Sequence, residues 1–297
     1  MKTLLYATDC TQSTSTALKY AHRFSVAMNA RLHVLHVYDL APFETVTVRS
    51  RSVLESNFFS EQHAILKDYC KEQLKHELGP KKITSIVKKN RSVPEAIFET
   101  AKKLNPDLVM VGTKNPKTLR GFFKGNIANE LMKKTEWPLL IVPNGVYYHG
   151  LSTLLYATDF EETDVHAIKS AVEIAEPYGA LIKVVHVLEK KEHGVDRQMI
   201  WLKKAIKQKI GYPEIVFKIQ EAKDVESGLL NCIDTEMPEI LAMMERENDS
   251  LLDRFLHKDL VKTMEKEITI PLLVFNKKSI KAKFAEQTDD TFSFELA

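Results

Sequence analysis

Short apolar runs alternate with segments of helical period along this 297-residue chain, and the whole alternation occurs twice. Residues 4–7 form an unbroken apolar run of strand length. Ala17, Leu18, Ala21, Phe24 and Met28 then recur at the three-to-four spacing of a helix that buries one face. A second apolar run at 32–37, rich enough in aliphatic residues to be covered on both sides, has the character of a parallel-sheet strand. Beyond it the pattern predicts a helical stretch at about 52–78, a strand near 83–87, a helix at 95–104, a strand at 108–111, a helix at 126–134 and a strand at 139–142. Strand and helix alternate throughout, which predicts an α/β layer with right-handed crossovers.

The second half repeats this order. Thr3-Leu4-Leu5-Tyr6-Ala7-Thr8-Asp9 returns as Thr153-Leu154-Leu155-Tyr156-Ala157-Thr158-Asp159 at an offset of 150, and His36-Val37 returns as His186-Val187 at the same offset. Ala167, Ile168, Ala171 and Ile174 repeat the first helix face. Strands are predicted at 182–188, 215–219, 240–243 and 272–275, and helices at 196–209, 225–234 and 256–266. Pro138 and Pro271 stand only 133 apart, so 17 residues are missing from the second copy, mostly opposite 40–59. That segment reads as a surface excursion, either a longer loop or a partner-facing lobe. Pro143, Gly145 and Gly150 break the pattern between the copies. The expected domains are 1–145 and 151–276, with a tail at 277–297 that is basic, then acidic. The fold class is therefore α/β, two tandem doubly wound five-stranded parallel-sheet domains.

Composition narrows the function. Forty-two Lys and Arg against 40 Asp and Glu leave a net charge of +2 with the signs interspersed, so no strong basic field draws nucleic acid. No apolar run reaches the roughly 20 residues of a membrane span. Cys10, Cys70 and Cys232 are odd in number and far apart, which fits neither a disulfide framework nor a metal-ligand spacing. A cytoplasmic protein without membrane or nucleic-acid partners is expected.

Candidate chemistry collects at strand ends, because ligands of an open parallel sheet settle outside the carboxyl ends of its strands. Asp9 follows the first strand, Val37 closes the second and Gly112 follows the fourth. From Gly112 the chain runs Thr113-Lys114-Asn115, then nine residues, then Gly125-Asn126 at a helix start. Free backbone N–H groups and the helix dipole favour an anion there, so the loop could cradle a phosphate or could be an ordinary glycine turn. Lys114, Lys117, Arg120 and Lys124 surround it. The second copy has no glycine from 229 to 297 and carries Glu245, Glu247, Asp249 and Asp253 instead. Two registers compete there: aligning Pro271 with Pro138 sets Glu245 opposite Gly112, whereas aligning Pro238 with Pro106 shifts the match by one residue. His36 and His186 read as strand-end packing residues with a backbone hydrogen bond, Cys10 as a small packing residue beside a carboxylate, and Met243-Met244 as core.

An Asp after the first strand, a His-Val ending the second, and a glycine loop before a helix and a Pro-led strand resemble the universal stress protein superfamily, in its tandem two-domain form. The resemblance implies strand order 3-2-1-4-5 in each half and an adenine-nucleotide site, since some members bind ATP. Ala7, Asp9 and Val37 would flank the adenosine, and Gly112, Asn115, Gly125, Asn126 and Ile127 would line the phosphates, with Mg²⁺ accompanying ATP. Asn115 replaces the family's second Gly and Asn126 its Ser or Thr, changes that weaken a phosphate loop without abolishing it. The expectation is a non-enzymatic stress-response protein with ATP bound in the first half only, an unidentified protein partner, and an intramolecular pseudo-twofold pairing of the copies that could extend to a homodimer. A slow ATPase, with Asp9 as base, and a ligand-free interaction module are the alternatives.

Overall fold

The structure is a computed structural model and describes residues 2–39, 48–76, 83–116, 126–189, 194–245, 270–277 and 280. The chain divides into two compact units, the first holding the strands of the first half and the second those from Ser152 onward to 245.

In the first half, strands β1 (Thr3–Thr8), β2 (Arg31–Tyr38), β3 (Ile83–Lys89), β4 (Leu108–Pro116) and β5 (Leu139–Asn144) lie in the order β3-β2-β1-β4-β5. Every pair is parallel. The register places Ala7 beside Leu35 and Val111, and Thr8 beside His36. Leu4, Leu5 and Tyr6 on the central strand are at most 1% exposed, as expected where both faces of a sheet are covered. Helix α1 (Ser15–Ala27) buries Ala17, Leu18, Ala21 and Phe24, the stripe its periodicity predicts. Each buried Leu or Phe contributes about 1.5–3 kcal/mol by leaving water.

Helix α2 (Val48–Leu74) is longer than its pattern indicates. It takes in 48–59, most of the segment read as a loop or lobe, while 40–47 lie outside the described residues. Helix α3 (Val93–Leu104) starts at Ser92, whose hydroxyl accepts from Glu95 N at 3.3 Å, and carries Pro94 in its first turn, where no N–H is needed. It ends at Asn105 with φ 42. Helix α4 (Asn126–Lys134) precedes β5.

The second half repeats the plan with β6 (Thr153–Ala157), α5 (Glu162–Ala175), β7 (Leu181–Leu188), α6 (Val195–Lys209), β8 (Ile215–Glu221), α7 (Val225–Glu236), β9 (Ile240–Glu245) and β10 (Leu272–Asn276). Its strand order is β10-β9-β6-β7-β8, the same 3-2-1-4-5 arrangement. Asp224 caps α7 as Ser92 caps α3, accepting from Ser227 N at 2.8 Å, and Met237 closes the helix at φ 44. The predicted 256–266 helix and the tail beyond 280 lie outside the described residues. Among the described residues no helix is long and apolar enough to cross a membrane.

Sheet pairing settles the register between the copies. Leu4 pairs with Leu108 and its repeat Leu154 pairs with Ile240. Met244 therefore stands opposite Gly112 and Glu245 opposite Thr113, which is the alignment through Pro106 and Pro238 rather than through Pro138 and Pro271.

Candidate functional site

Three of the residues expected at the crevice converge at the carboxyl ends of adjacent strands. Ala7 on β1, Val37 on β2 and Gly112 on β4 are each half-buried, and the β1–β2 and β1–β4 registers make them neighbours. Asp9 follows at the end of β1, also half-buried. Ile127, in the first turn of α4, is 43% exposed. Gly125 lies outside the described residues, as do Lys117, Arg120 and Lys124, and of Lys114, Asn115 and Asn126 only the backbone is placed, in β4 and at the start of α4.

Two of these positions do something other than their spacing suggests. Gly112 does not occupy a left-handed backbone; a Cβ there would come within 2.7 Å of the Ala17 Cβ. The missing side chain lets β4 and α1 approach, and this packing by itself requires glycine. Asp9 likewise belongs first to its own turn: Oδ1 accepts from Thr11 N at 3.1 Å, Thr11 Oγ1 at 2.8 Å and Thr14 Oγ1 at 3.0 Å. Short polar side chains bond the backbone two residues on in this way and hold turns.

Around that turn runs a hydroxyl cluster that sequence reasoning missed. Thr8 Oγ1 and Tyr69 OH both lie 3.1 Å from Thr14 Oγ1, Tyr6 OH donates to Thr14 O at 3.1 Å, and Cys10 N donates to Thr8 Oγ1 at 3.1 Å. Tyr69 belongs to α2 and also donates to Thr11 O at 3.2 Å, docking the long helix on the strand-end turn. Burial pushes the Tyr69 hydroxyl up to about 12. Burial above all, with Cys70 and Asp9 adding to it, pushes the Cys10 thiol up to about 12, so it is a neutral thiol at physiological pH and no nucleophile. His36 Nδ1 donates to Thr8 O at 3.1 Å and its Nε2 faces Gln62 Oε1 at 3.1 Å. His186 Nδ1 bonds Thr158 O at 2.9 Å, so both histidines tie strand ends together as the repeat suggests. The offset of 150 carried a usable signal: Thr14 aligns with Asp164.

In the second half the same location is closed. Ala157 and Val187, the counterparts of Ala7 and Val37, are 2% and 4% exposed. Met244, buried, takes the place of Gly112, and α7 approaches so closely that a Cβ on Gly228 would lie 2.5 Å from Val187 Cγ1. Asp164, in the first turn of α5, is fully buried and accepts from Tyr156 OH at 2.9 Å and Thr158 Oγ1 at 2.7 Å. Closure was expected from acidic loop residues. Among the described residues Met244 and Glu245 are both buried and Gly228 packs closely on Val187, while Glu247, Asp249 and Asp253 lie outside the described range.

Comparison with known proteins agrees with this architecture. The model of the Universal stress protein family matches residues 1–143. Over these residues the sequence is that of a universal stress protein domain. A universal stress protein of Methanocaldococcus jannaschii is 26% identical over 144 residues, covering 48% of this chain and 81% of that protein. Likeness of fold extends over both halves. A universal stress protein of Archaeoglobus fulgidus DSM 4304 superposes with a TM-score of 0.60 at 14% identity, over 92% of this chain and 96% of its own. A Pseudomonas aeruginosa PAO1 protein of unknown function gives 0.57 at 15% identity, over 97% and 96%. The family's sequence pattern is thus found in the first half of the chain, and both halves share the fold of these structures. Among the described residues no group of three or more His, Cys, Asp or Glu could hold a metal ion.

Proposed function

We propose that this chain is a tandem universal stress protein, a non-enzymatic regulatory protein that binds one adenine nucleotide, ATP in the first instance, at the strand ends of its first half. One observation carries it: Ala7 and Val37 remain half-buried at the mouth of the first crevice, whereas Ala157 and Val187 are sealed in the second. Small apolar side chains at a strand-end crevice suit the flat face of a purine and its ribose. The phosphates would extend toward the amino end of α4, where unpaired N–H groups and the helix dipole favour negative charge. Mg²⁺ would arrive with the phosphates, as no carboxylate cluster stands ready for it among the described residues. The non-catalytic role is favoured by the three hydrogen bonds that Asp9 Oδ1 accepts within its own turn, which give the best-placed carboxylate a structural part.

Calorimetric titration of the full chain with Mg-ATP tests this. We expect one site per chain and no phosphate release above the uncatalysed rate. Ala7→Met, which fills the crevice without adding charge, should weaken binding by about tenfold or more, as expected when one well-buried contact of about 1.4 kcal/mol is lost. Absence of both heat and thermal shift would leave the ligand-free interaction module as the function. Steady phosphate release abolished by Asp9→Ala would make the protein an ATPase.

A further inference from the structure

Asn144-Gly145, where β5 runs into the connection to β6, is the only Asn-Gly pair in the chain. The side-chain amide of an asparagine is an electrophile within reach of the next backbone nitrogen, and a following glycine leaves that nitrogen uncrowded. Packing does not require the glycine, since a Cβ at 145 would meet nothing within 4 Å. Its backbone does: φ is 83, and Val146 N donates to Pro143 O at 3.2 Å, which makes Gly145 the third residue of a type II turn.

The surroundings of the pair oppose a reaction between these two groups. Thr16, in the first turn of α1, places one hydroxyl on both of them: Oγ1 donates to Asn144 Oδ1 at 3.1 Å and accepts from Gly145 N at 3.1 Å. Asn144 N donates to the buried Thr113 Oγ1 at 3.0 Å, and the sheet register pairs Asn144 with Pro116 of β4. The amide, the N–H and the backbone between them are therefore all held, and a single side chain from another element holds the first two. Ring closure needs the opposite: the Gly145 nitrogen must give up its proton and turn onto Asn144 Cγ.

We propose that Asn144-Gly145 is a self-modification site gated by Thr16, with water as its only co-reactant. When the end of β5 opens and Thr16 lets go, Gly145 N bonds to Asn144 Cγ and the Cγ–Nδ2 bond breaks. Ammonia leaves with the proton that the nitrogen loses, and a succinimide remains. Water then opens the ring at either carbonyl to give aspartate or isoaspartate, with no electron transferred. Both products add a carboxylate at the end of β5, and isoaspartate also adds one carbon to the backbone between the repeats. The inference is independent of nucleotide binding in the first half.

Incubation of the full-length parent, Thr16→Val and Thr16→Ser in mildly alkaline buffer, with and without urea, decides the matter. Peptide mapping by mass spectrometry reads the amide-to-acid mass gain at 144 and resolves the isoaspartyl peptide. In native buffer Thr16→Val should convert about fivefold faster than the parent, the factor by which one lost hydrogen bond raises the population of the open strand end. Thr16→Ser, which keeps the hydroxyl, should convert at the parent's rate. In urea all three should share one rate, above that of the folded parent. Thr16→Val no faster than the parent, or a parent that reacts as fast folded as in urea, would overturn the proposal. Acceleration shared by other asparagines would also overturn it, since it would mean general unfolding rather than a gate at 144. If Thr16→Val does not fold, the ratio of native to urea rates in the parent decides alone.

Discussion

At the scale of single residues, the ends of α3 and α7 make a controlled comparison. Both helices close on a left-handed residue followed by proline, Asn105 at φ 42 before Pro106 and Met237 at φ 44 before Pro238. Asn tolerates that backbone because its short amide bonds locally; Met has no such compensation and costs about 1 kcal/mol there relative to glycine. Met237 is 78% exposed, so little packing is lost by removing its side chain. Met237→Gly should therefore stabilise the protein by about 0.5–1 kcal/mol in urea denaturation, and Asn105→Gly by less. A destabilised Met237→Gly would mean that its side chain is held by a contact worth more than the strain. The repeated prolines marked these helix ends in the sequence, but which partner of the pair carried the strain depended on φ and exposure, which no pattern of polar and apolar residues encodes.

At the scale of elements, Gly112 is the contact between β4 and α1. A methyl group would meet the Ala17 Cβ at 2.7 Å, closer than carbon atoms pack, with Tyr6 OH at 3.6 Å leaving no room to turn aside. Gly112→Ala should cost about 1–3 kcal/mol through forced separation of strand and helix. Ala17→Gly in the same chain should recover part of it, less the roughly 1 kcal/mol that a helical glycine costs. Equal stability of Gly112→Ala and the parent in chemical denaturation would contradict this packing role. Here the sequence and the structure point to different causes for one residue. Strands and α1 were legible because burial on both faces, or on one face, leaves a periodic trace. Gly112 was read as part of a phosphate loop because a glycine at a strand end has the same spelling whether it admits a ligand or a neighbouring helix. The amino-terminal extension of α2 escaped for a related reason: its Ser, Arg and scattered aromatic residues carry no clear stripe, and among the described side chains of the helix the buried ones, Leu66, Tyr69, Cys70 and Leu74, fall in its later part.

At the scale of the whole molecule, duplication turned the sequence into its own control, and the asymmetry between halves was legible before any coordinates. What was not legible was its cause. The missing glycines and added acids of the second half pointed to repulsion of phosphate, whereas the described residues show Ala157 and Val187 buried, with a helix packed closely on Val187. In the second half the donors of the strand-end turn are taken up by the buried Asp164, while in the first half the turn is held by a half-buried Asp9 and a cluster of hydroxyls. The two halves should therefore respond differently to one ligand in hydrogen–deuterium exchange. In the absence of ATP, the amides of Asp159 and Glu161 should exchange more slowly than those of Asp9 and Thr11, because their acceptor is fully buried. Saturating Mg-ATP should slow exchange across residues 9–14 and at Gly112 and Thr113, with an upper limit of about 100-fold when ligand stands at 100 times its Kd, and should leave 159–164 and 244–245 unchanged. Equal protection of both halves would mean that the second crevice opens to admit nucleotide, and the burial of Ala157 and Val187 would then be one state of a mobile site.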